Sequence, residues 1–434
     1  MKELLLENFI KISSIPRGTG KEKQISDFFV DLAINNNLEY YQDENYNVLI
    51  KKKGNIEGDS IALQCHLDMV CVKREGSNHD FSKDPIEVIV DGDVVKAKDT
   101  SLGADQGVGL ALMMTLIEAN NIKHPNLEFM FTVEEETTFK GAVTFPYAKV
   151  ESKKIINLDS GNDEIVVIGS AGDIANEYTF EGNFIKNELP CYKISISGLE
   201  GGNSGDNVER STNNAIIKMA NLIDNKDIYI CSINGGFSEN DIATNCEAII
   251  KTSLNIKELF DSSINIEEVK YNYSFSLEDT QRIIKEIKEL KSGYLSNTAS
   301  ANLGIIKTSQ NKIIIDYIIR STNESELEKL NMLINNLDNN FIAKNIYTDS
   351  IWIPNRESRL LKEYNEVYYS LFSKYPKENI AQGGLECVAI KKRIANSDVI
   401  SIGASMINIH SVNEETYISS WEKIYNLLLK LLSN

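Results

Sequence analysis

The stretch "LQCHLDMVC", Leu63–Cys71, reads as a short apolar strand that stops on a histidine, with an aspartate two residues later. The chain has only four histidines, so one at a strand end is informative. Around it, strand-like and helix-like runs alternate: a helical pattern over about 21–36, then "YNVLIKKK", "SIALQCHLDMV", the helical "QGVGLALMMTLIEANN", "NLEFMFTV" and "KIINLD". That alternation predicts an α/β fold with a mostly parallel sheet buried on both faces.

In sheets of this kind, ligands gather at the carboxyl ends of the strands. Suitable groups follow several predicted strands: His66 after "IALQC", the run Glu134, Glu135, Glu136 after "NLEFMFTV", Asp159 after "KIINL" and His410 after "SMINI". Asp105, in "SLGADQGVG", precedes a helix. Imidazoles and carboxylates together are the ligands of zinc or a similar divalent ion. With one bridging aspartate, five side chains give two ions three protein ligands each, leaving positions open as a hydrolytic two-metal site requires. Positions two apart on a strand point the same way, so Asp68 can reach the His66 ring and fix its tautomer. Adjacent Glu135 and Glu136 point in different directions. One can bind metal while the other takes a proton from water, and the residues alone leave open which does which.

Other groups have plainer readings. Cys65 and Cys387 fit small core side chains, and the glycine-rich "GLEGGNSGDN" lacks the lysine of a phosphate-binding loop and fits a structural turn.

From about 186 the pattern changes to period-two strands, "LPCYKISISGL", "EAIIKTSL" and "NKIIIDYIIRS", with helices between or after them. This predicts an inserted α+β domain. A proline-marked turn near 351 leads into a long helix, and "DVISIGASMINIHS" then reads as a buried strand of the first layer. The expected division is 1–185 and 353–434 for the α/β domain and 186–352 for the insertion.

Composition narrows the function class. At 434 residues with 42% hydrophobic content, the chain has room for two or three packed domains. A formal net charge of −18 argues against nucleic-acid or anionic-membrane partners. No run approaches the roughly 20 apolar residues of a membrane span. The opening "MKELLLENFIKISSIPRGTGKEKQ" reads as an amphipathic helix and not a signal peptide, and the six cysteines show no CxxC spacing. A cytoplasmic protein is expected.

An ordered series of motifs then resembles the M20 metallopeptidases, and among them the aminoacyl-histidine (Xaa-His) dipeptidases. It runs through "ISSIPRGTGKEKQISDF", "LQCHLDMVCVK", "AKDTSLGADQGVGLA", "FTVEEETTFKGA", "NLDSG", "SISGLEGGNSG", "SANLGII", "YIIRS", "GGLEC" and "INIHSVNEE". The resemblance implies a di-zinc catalytic domain with an inserted α+β lid domain, and a homodimer formed through that lid. His66, Asp105 and Asp159 would hold one ion, and Asp105, Glu136 and His410 the other, with Co2+ or Mn2+ as alternatives to Zn2+. Asp68 would clamp His66, Glu135 would be the general base, and the Asp105–Gln106 peptide would be cis. Asn240 and Arg320 would grip a small peptide substrate, Arg320 by its terminal carboxylate.

The departures fall on substrate-handling segments and spare the metal ligands. "GGNSG" stands where the family has GGHSG, so Asn203 replaces a histidine expected at the oxyanion. "QGGLEC" stands for HAGLEC, with Gln382 for histidine, and Asp99 and the segment "NDIATNCE" also depart. The leading expectation is a dipeptidase of weakened or altered activity. Its alternatives are a pseudoenzyme that binds a peptide or amino acid, and a deacylase or tripeptidase of the wider family.

Overall fold

A computed structural model describes residues 1–205, 207–224, 227–260, 264–336, 338 and 340–433. The chain divides into two compact units: Met1–Gly169 with Pro354–Ile380 and Leu385–Asn434, and Ser170–Ile353 with Ala381–Gly384.

The first unit is built on an eight-stranded sheet, ordered Glu39–Gln42, Val48–Lys52, Leu127–Thr132, Ile61–His66, Lys154–Asn157, Asp398–Ser401, Ile165–Ser170 and Lys377–Ala381. Its centre is parallel: Ile61–His66 pairs in parallel with Leu127–Thr132 and with Lys154–Asn157, which pairs in parallel with Asp398–Ser401. Every residue of Ile61–His66 and of Leu127–Thr132 is buried, as expected for strands covered on both faces. The helix Ala104–Glu118 is apolar around its whole circumference, and it is buried along nearly its full length. A separate four-stranded sheet joins Met406–Ile407, Glu415–Tyr417, Val94–Ala97 and Val88–Asp91.

The second unit carries an antiparallel sheet ordered Asn265–Glu268, Cys191–Ile196, Cys246–Lys251, Tyr229–Gly235, Ala299–Ser309, Lys312–Ser321, Gly172–Glu181 and Phe341–Thr348. The helices Ala215–Ile223, Leu277–Glu289 and Glu324–Ile334 begin on the side-chain caps Asn214, Ser276 and Asn323. Their apolar faces join the sheet in one core with Ile216, Met219, Ile283, Ile287 and Leu327.

The boundaries differ from the expected 186–352. The second unit begins sixteen residues earlier, at Ser170, because Gly172–Glu181 pairs along its whole length with Lys312–Ser321. Residues 381–384 also belong to it, although they lie inside the expected 353–434 segment. A second difference concerns His410. "SMINI" is not a strand of the large sheet, because only Met406–Ile407 is extended and it pairs with Glu415–Tyr417. Among the described residues, no helix is long and apolar enough to cross a membrane.

Candidate metal centre

The seven expected residues of the first unit are delivered by several local devices. His66 is the last residue of a buried strand, and Asp68 follows it in the loop. Asp105 lies in the first turn of Ala104–Glu118, and its peptide to Gln106 is cis. Glu135 and Glu136 open a four-residue helix just past Leu127–Thr132. Asp159 lies two residues beyond Lys154–Asn157. His410 sits in the hairpin loop between Met406–Ile407 and Glu415–Tyr417, at φ 62°.

These side chains converge. His66 Nε2 lies 3.3 Å from Asp105 Oδ1, 3.9 Å from Asp159 Oδ1 and 4.0 Å from Glu135 Oε2. The other Asp105 oxygen, Oδ2, is 3.3 Å from His410 Nε2, which in turn is 2.9 Å from Glu136 Oε2. Asp105 therefore faces one histidine with each of its oxygens. His66 Nδ1 is 3.4 Å from Asp68 Oδ1. Asp68 also accepts the backbone N–H groups of Glu135 (3.0 Å) and Glu136 (3.2 Å) and the Thr19 hydroxyl (3.0 Å), tying the two strand ends together.

The electrostatics show a surplus of negative charge. Burial pushes the Glu135 carboxyl well above the usual range, and Asp159 and Glu136 add to the shift. Asp159 and Glu136 are raised in the same way, by burial and then by Asp105. Burial opposes ionisation of Asp105 too, but hydrogen bonds from His410 and His66 hold it well below the usual carboxylate range. For His410, burial favours the neutral ring, yet Asp105 and Glu136 carry its pKa up to about 12.

The donor set fits divalent cations. The ligand atoms of His66, Asp105 and Glu136 all lie within 4.8 Å of one another. Glu136 Oε1 is buried without a hydrogen-bond partner. A buried polar atom in that condition is costly unless something else satisfies it.

Several polar residues beneath the cluster escaped the sequence reading. Glu386 is 1% exposed. Its Oε2 accepts from Gln64 Nε2 (2.5 Å) and the Thr132 hydroxyl (2.7 Å). Gln64 Oε1 accepts from Asn157 (2.7 Å), and Asn157 Oδ1 accepts from the Asp159 backbone N–H (3.2 Å) and from Ser401. This ladder crosses the strand ends that carry His66, the glutamates and Asp159. Gln106 Nε2 donates to Asp159 Oδ1. "GLEC" was the available signal for Glu386, but nothing in it shows that the acid is buried.

In the second unit, Asn240 and Arg320 are brought together and Asn203 lies beside them. Arg320 is buried, donating to Ser204 Oγ and to Asn240 Oδ1, each at 2.9 Å, with Nε 3.7 Å from Asp173. Asn203 Oδ1 accepts the Gly205 N–H at 2.8 Å, folding the side chain into its own turn. Gly383, next to Gln382, packs so closely that a Cβ on Gly205 would lie 3.2 Å from its Cα. The two departures at 203 and 382 thus occupy neighbouring loops.

No family model matches the chain. The cytosol non-specific dipeptidase of Escherichia coli (strain K12) is 28% identical, the alignment covering 99% of this chain and 96% of the relative. The solved aminoacylhistidine dipeptidase of Vibrio alginolyticus is similar at a TM-score of 0.76 and 25% identity, with 99% of this chain and 96% of that one covered. A more distant likeness, of fold alone, is to a dinuclear metal binding peptidase of the M20 family from Bacillus subtilis: TM-score 0.50, 11% identity, 100% of this chain and 97% of that one.

Proposed function

We propose, from its likeness to the dipeptidases above, that the chain is an M20 metallopeptidase, a dipeptidase acting on Xaa-His dipeptides with two divalent ions, Zn2+ first and Co2+ or Mn2+ as alternatives. The observation that carries the proposal is the set His66, Asp105 and Glu136, whose ligand atoms lie within 4.8 Å of one another. Asp105 is the proposed shared ligand, since its two oxygens face His66 and His410 separately. Asp159 would complete the His66 side and Glu136 the His410 side, in keeping with their distances.

When bound, such ions supply Lewis acidity toward a peptide carbonyl and an attacking water. The chain's own residues do the rest. Asp68 holds His66 from its Nδ1 side, so that Nε2 faces Asp105. Glu135 is the proposed general base: its carboxylate takes a proton from the attacking water and passes it to the leaving amine. Burial raises its proton affinity, and a general base must take up a proton before it can pass it on. Arg320, Asn240 and Asn203 are proposed as substrate contacts, Arg320 for the terminal carboxylate. The protein is proposed to work in the cytoplasm as a homodimer through its second unit.

Metal analysis with a dipeptide panel tests the reading. Two ions per chain and hydrolysis of Xaa-His dipeptides are expected. A fully loaded chain with no more than one tightly held ion defeats the metal assignment. Two ions with no cleavage of any dipeptide leave a ligand-binding protein.

A further inference from the structure

Glu414 lies four residues beyond His410 in the same hairpin segment, and its carboxylate is the meeting point of four consecutive backbone N–H groups. Oε2 accepts from Leu102 (2.8 Å) and Gly103 (2.9 Å), and Oε1 from Ala104 (2.8 Å) and Asp105 (3.3 Å). The side chain is 3% exposed. Residues 102–105 lead into Ala104–Glu118, where the first N–H groups have no partner within the helix and an anion is favoured. The cap comes from more than 300 residues away in sequence, so it is a tertiary clamp.

Arg17 grips the same loop by its carbonyl. It is 2% exposed, and its NH2 donates to the Gly103 carbonyl. NH1 donates to the carbonyls of Leu67 (3.1 Å) and Asp68 (2.6 Å), just past His66. Gly103 has φ 67°, and a Cβ there would come within 2.7 Å of Arg17 NH2. The residue between Leu102 and Ala104 is therefore glycine for two reasons, the left-handed backbone and the guanidinium packed against it.

One anion thus bolts the His410 hairpin to the Asp105 loop, and one cation bolts the Asp105 loop to the His66–Asp68 loop. Among the described residues, Glu414 and Arg17 bond these loops through backbone groups and not through a side chain of the proposed ligand set. We propose that Glu414 and Arg17 are positioning residues for ion binding, fixing through the backbone the spacing of Asp105 from His410 and from the His66–Asp68 pair. This inference rests on the two-ion reading above.

The test is a Co2+ titration of the metal-depleted chain, read by the visible absorption of the bound ion, alongside thermal unfolding. Glu414→Gln keeps the size of the side chain but offers an acceptor to only one pair of N–H groups. It is expected to weaken Co2+ binding by about 10–100-fold and to alter the absorption band while unfolding stays cooperative. Glu128→Gln is the control. Glu128 is likewise 3% exposed and likewise accepts backbone N–H groups, from Glu151 and Ser152, but at the far end of its strand from the cluster. Its titration should match wild type within twofold. Wild-type affinity and band shape in Glu414→Gln overturn the inference alone, as does an equal loss in both variants, which marks a merely structural cap. A wild type that takes up no Co2+ overturns the two-ion reading itself. Should Glu414→Gln fail to fold, Arg17→Lys carries the same expectation, because the charge stays while the fork between the two loops is lost.

Discussion

In the first unit, five buried or nearly buried carboxylates, Asp68, Asp105, Glu135, Glu136 and Asp159, face two imidazoles. In the second, one guanidinium, Arg320, faces one carboxylate, Asp173, and two neutral partners, Ser204 and Asn240. The two clusters are similarly buried but balanced differently. Arg320 and Asp173 are matched in charge. Burial lifts Asp173 to about 6 and Arg320 opposes the shift. The first cluster cannot neutralise itself, and burial plus mutual repulsion drives three of its acids upward. A charge surplus in a buried site is costly unless cations or protons offset it. The comparison teaches that the first cluster needs cations or protons to balance it, whereas the second carries its own counter-charge.

The sharpest way to break this contrast is Asp105→Ala. As the proposed shared ligand, Asp105 should take both ions with it, and metal analysis should find neither tightly held. Turnover should fall by more than the roughly 10²–10³ that loss of a single oxyanion donor costs. Retention of one tightly bound ion would show that Asp105 serves only one site.

The adjacent glutamates divide the first cluster further. Glu135→Gln should keep both ions and lose at least about 10²-fold in kcat, the scale of a missing general base. Glu136→Gln should instead weaken ion binding, which a zinc competition assay reads directly. The reverse pattern would exchange the two roles.

Glu386 gives a subtler measure of the surplus. Burial lifts its pKa from 4.5 to about 7. The folded chain therefore holds this proton up to about pH 7, whereas the unfolded chain releases it near 4.5. The stability tied to that proton is full below pH 4.5 and is lost as pH rises through 7. Glu386→Gln mimics the protonated form, keeping an oxygen for Gln64 and Thr132 on the side where Oε2 accepts both. With chelator present, it should match wild type below pH 4.5 and exceed it above pH 7, by on the order of 3 kcal/mol. Denaturant unfolding across this range checks it. A gap that does not change with pH would mean Glu386 titrates as an ordinary acid.

Much of this site was legible because buried strands announce their ends. The runs "IALQC", "NLEFMFT" and "KIIN" break abruptly onto His66, the glutamates and Asp159, and a parallel sheet places such breaks side by side. His410 was singled out by its chemistry and lies beside Asp105 and Glu136, but its setting was misjudged. The apolar "SMINI" imitates a buried strand, whereas only Met406–Ile407 is extended, in the small sheet. Arg17, Glu386 and Glu414 were not assigned any role, because each acts on segments 50 to more than 300 residues away. In sequence, a buried acid in a loop looks like a solvated one. The start of the second unit was missed because Ile165–Ser170 passes into Gly172–Glu181 across Ala171 alone, with no linker whose composition could mark it.

The smallest expected effect concerns the balanced cluster. Asn203 sits one residue before Ser204, which accepts from Arg320, and its own oxygen is engaged by the Gly205 N–H. Any donor role toward a substrate carbonyl belongs to Nδ2, the amide's hydrogen-bond donor, which is neutral and shorter than the histidine that the resemblance implies at this position. Since a donor is already present, Asn203→His should raise kcat by about tenfold, well short of the roughly 10²–10³ attached to an oxyanion donor gained from nothing. KM should change less, because the interaction strengthens mainly in the transition state. Steady-state kinetics on β-Ala-His and other Xaa-His dipeptides measures both constants. A large change in KM with kcat constant would instead make position 203 a contact of the bound ground state. No change in either constant would point to a pocket rebuilt jointly with Gln382, whose neighbour Gly383 packs on Gly205, so that one restored histidine no longer meets the carbonyl.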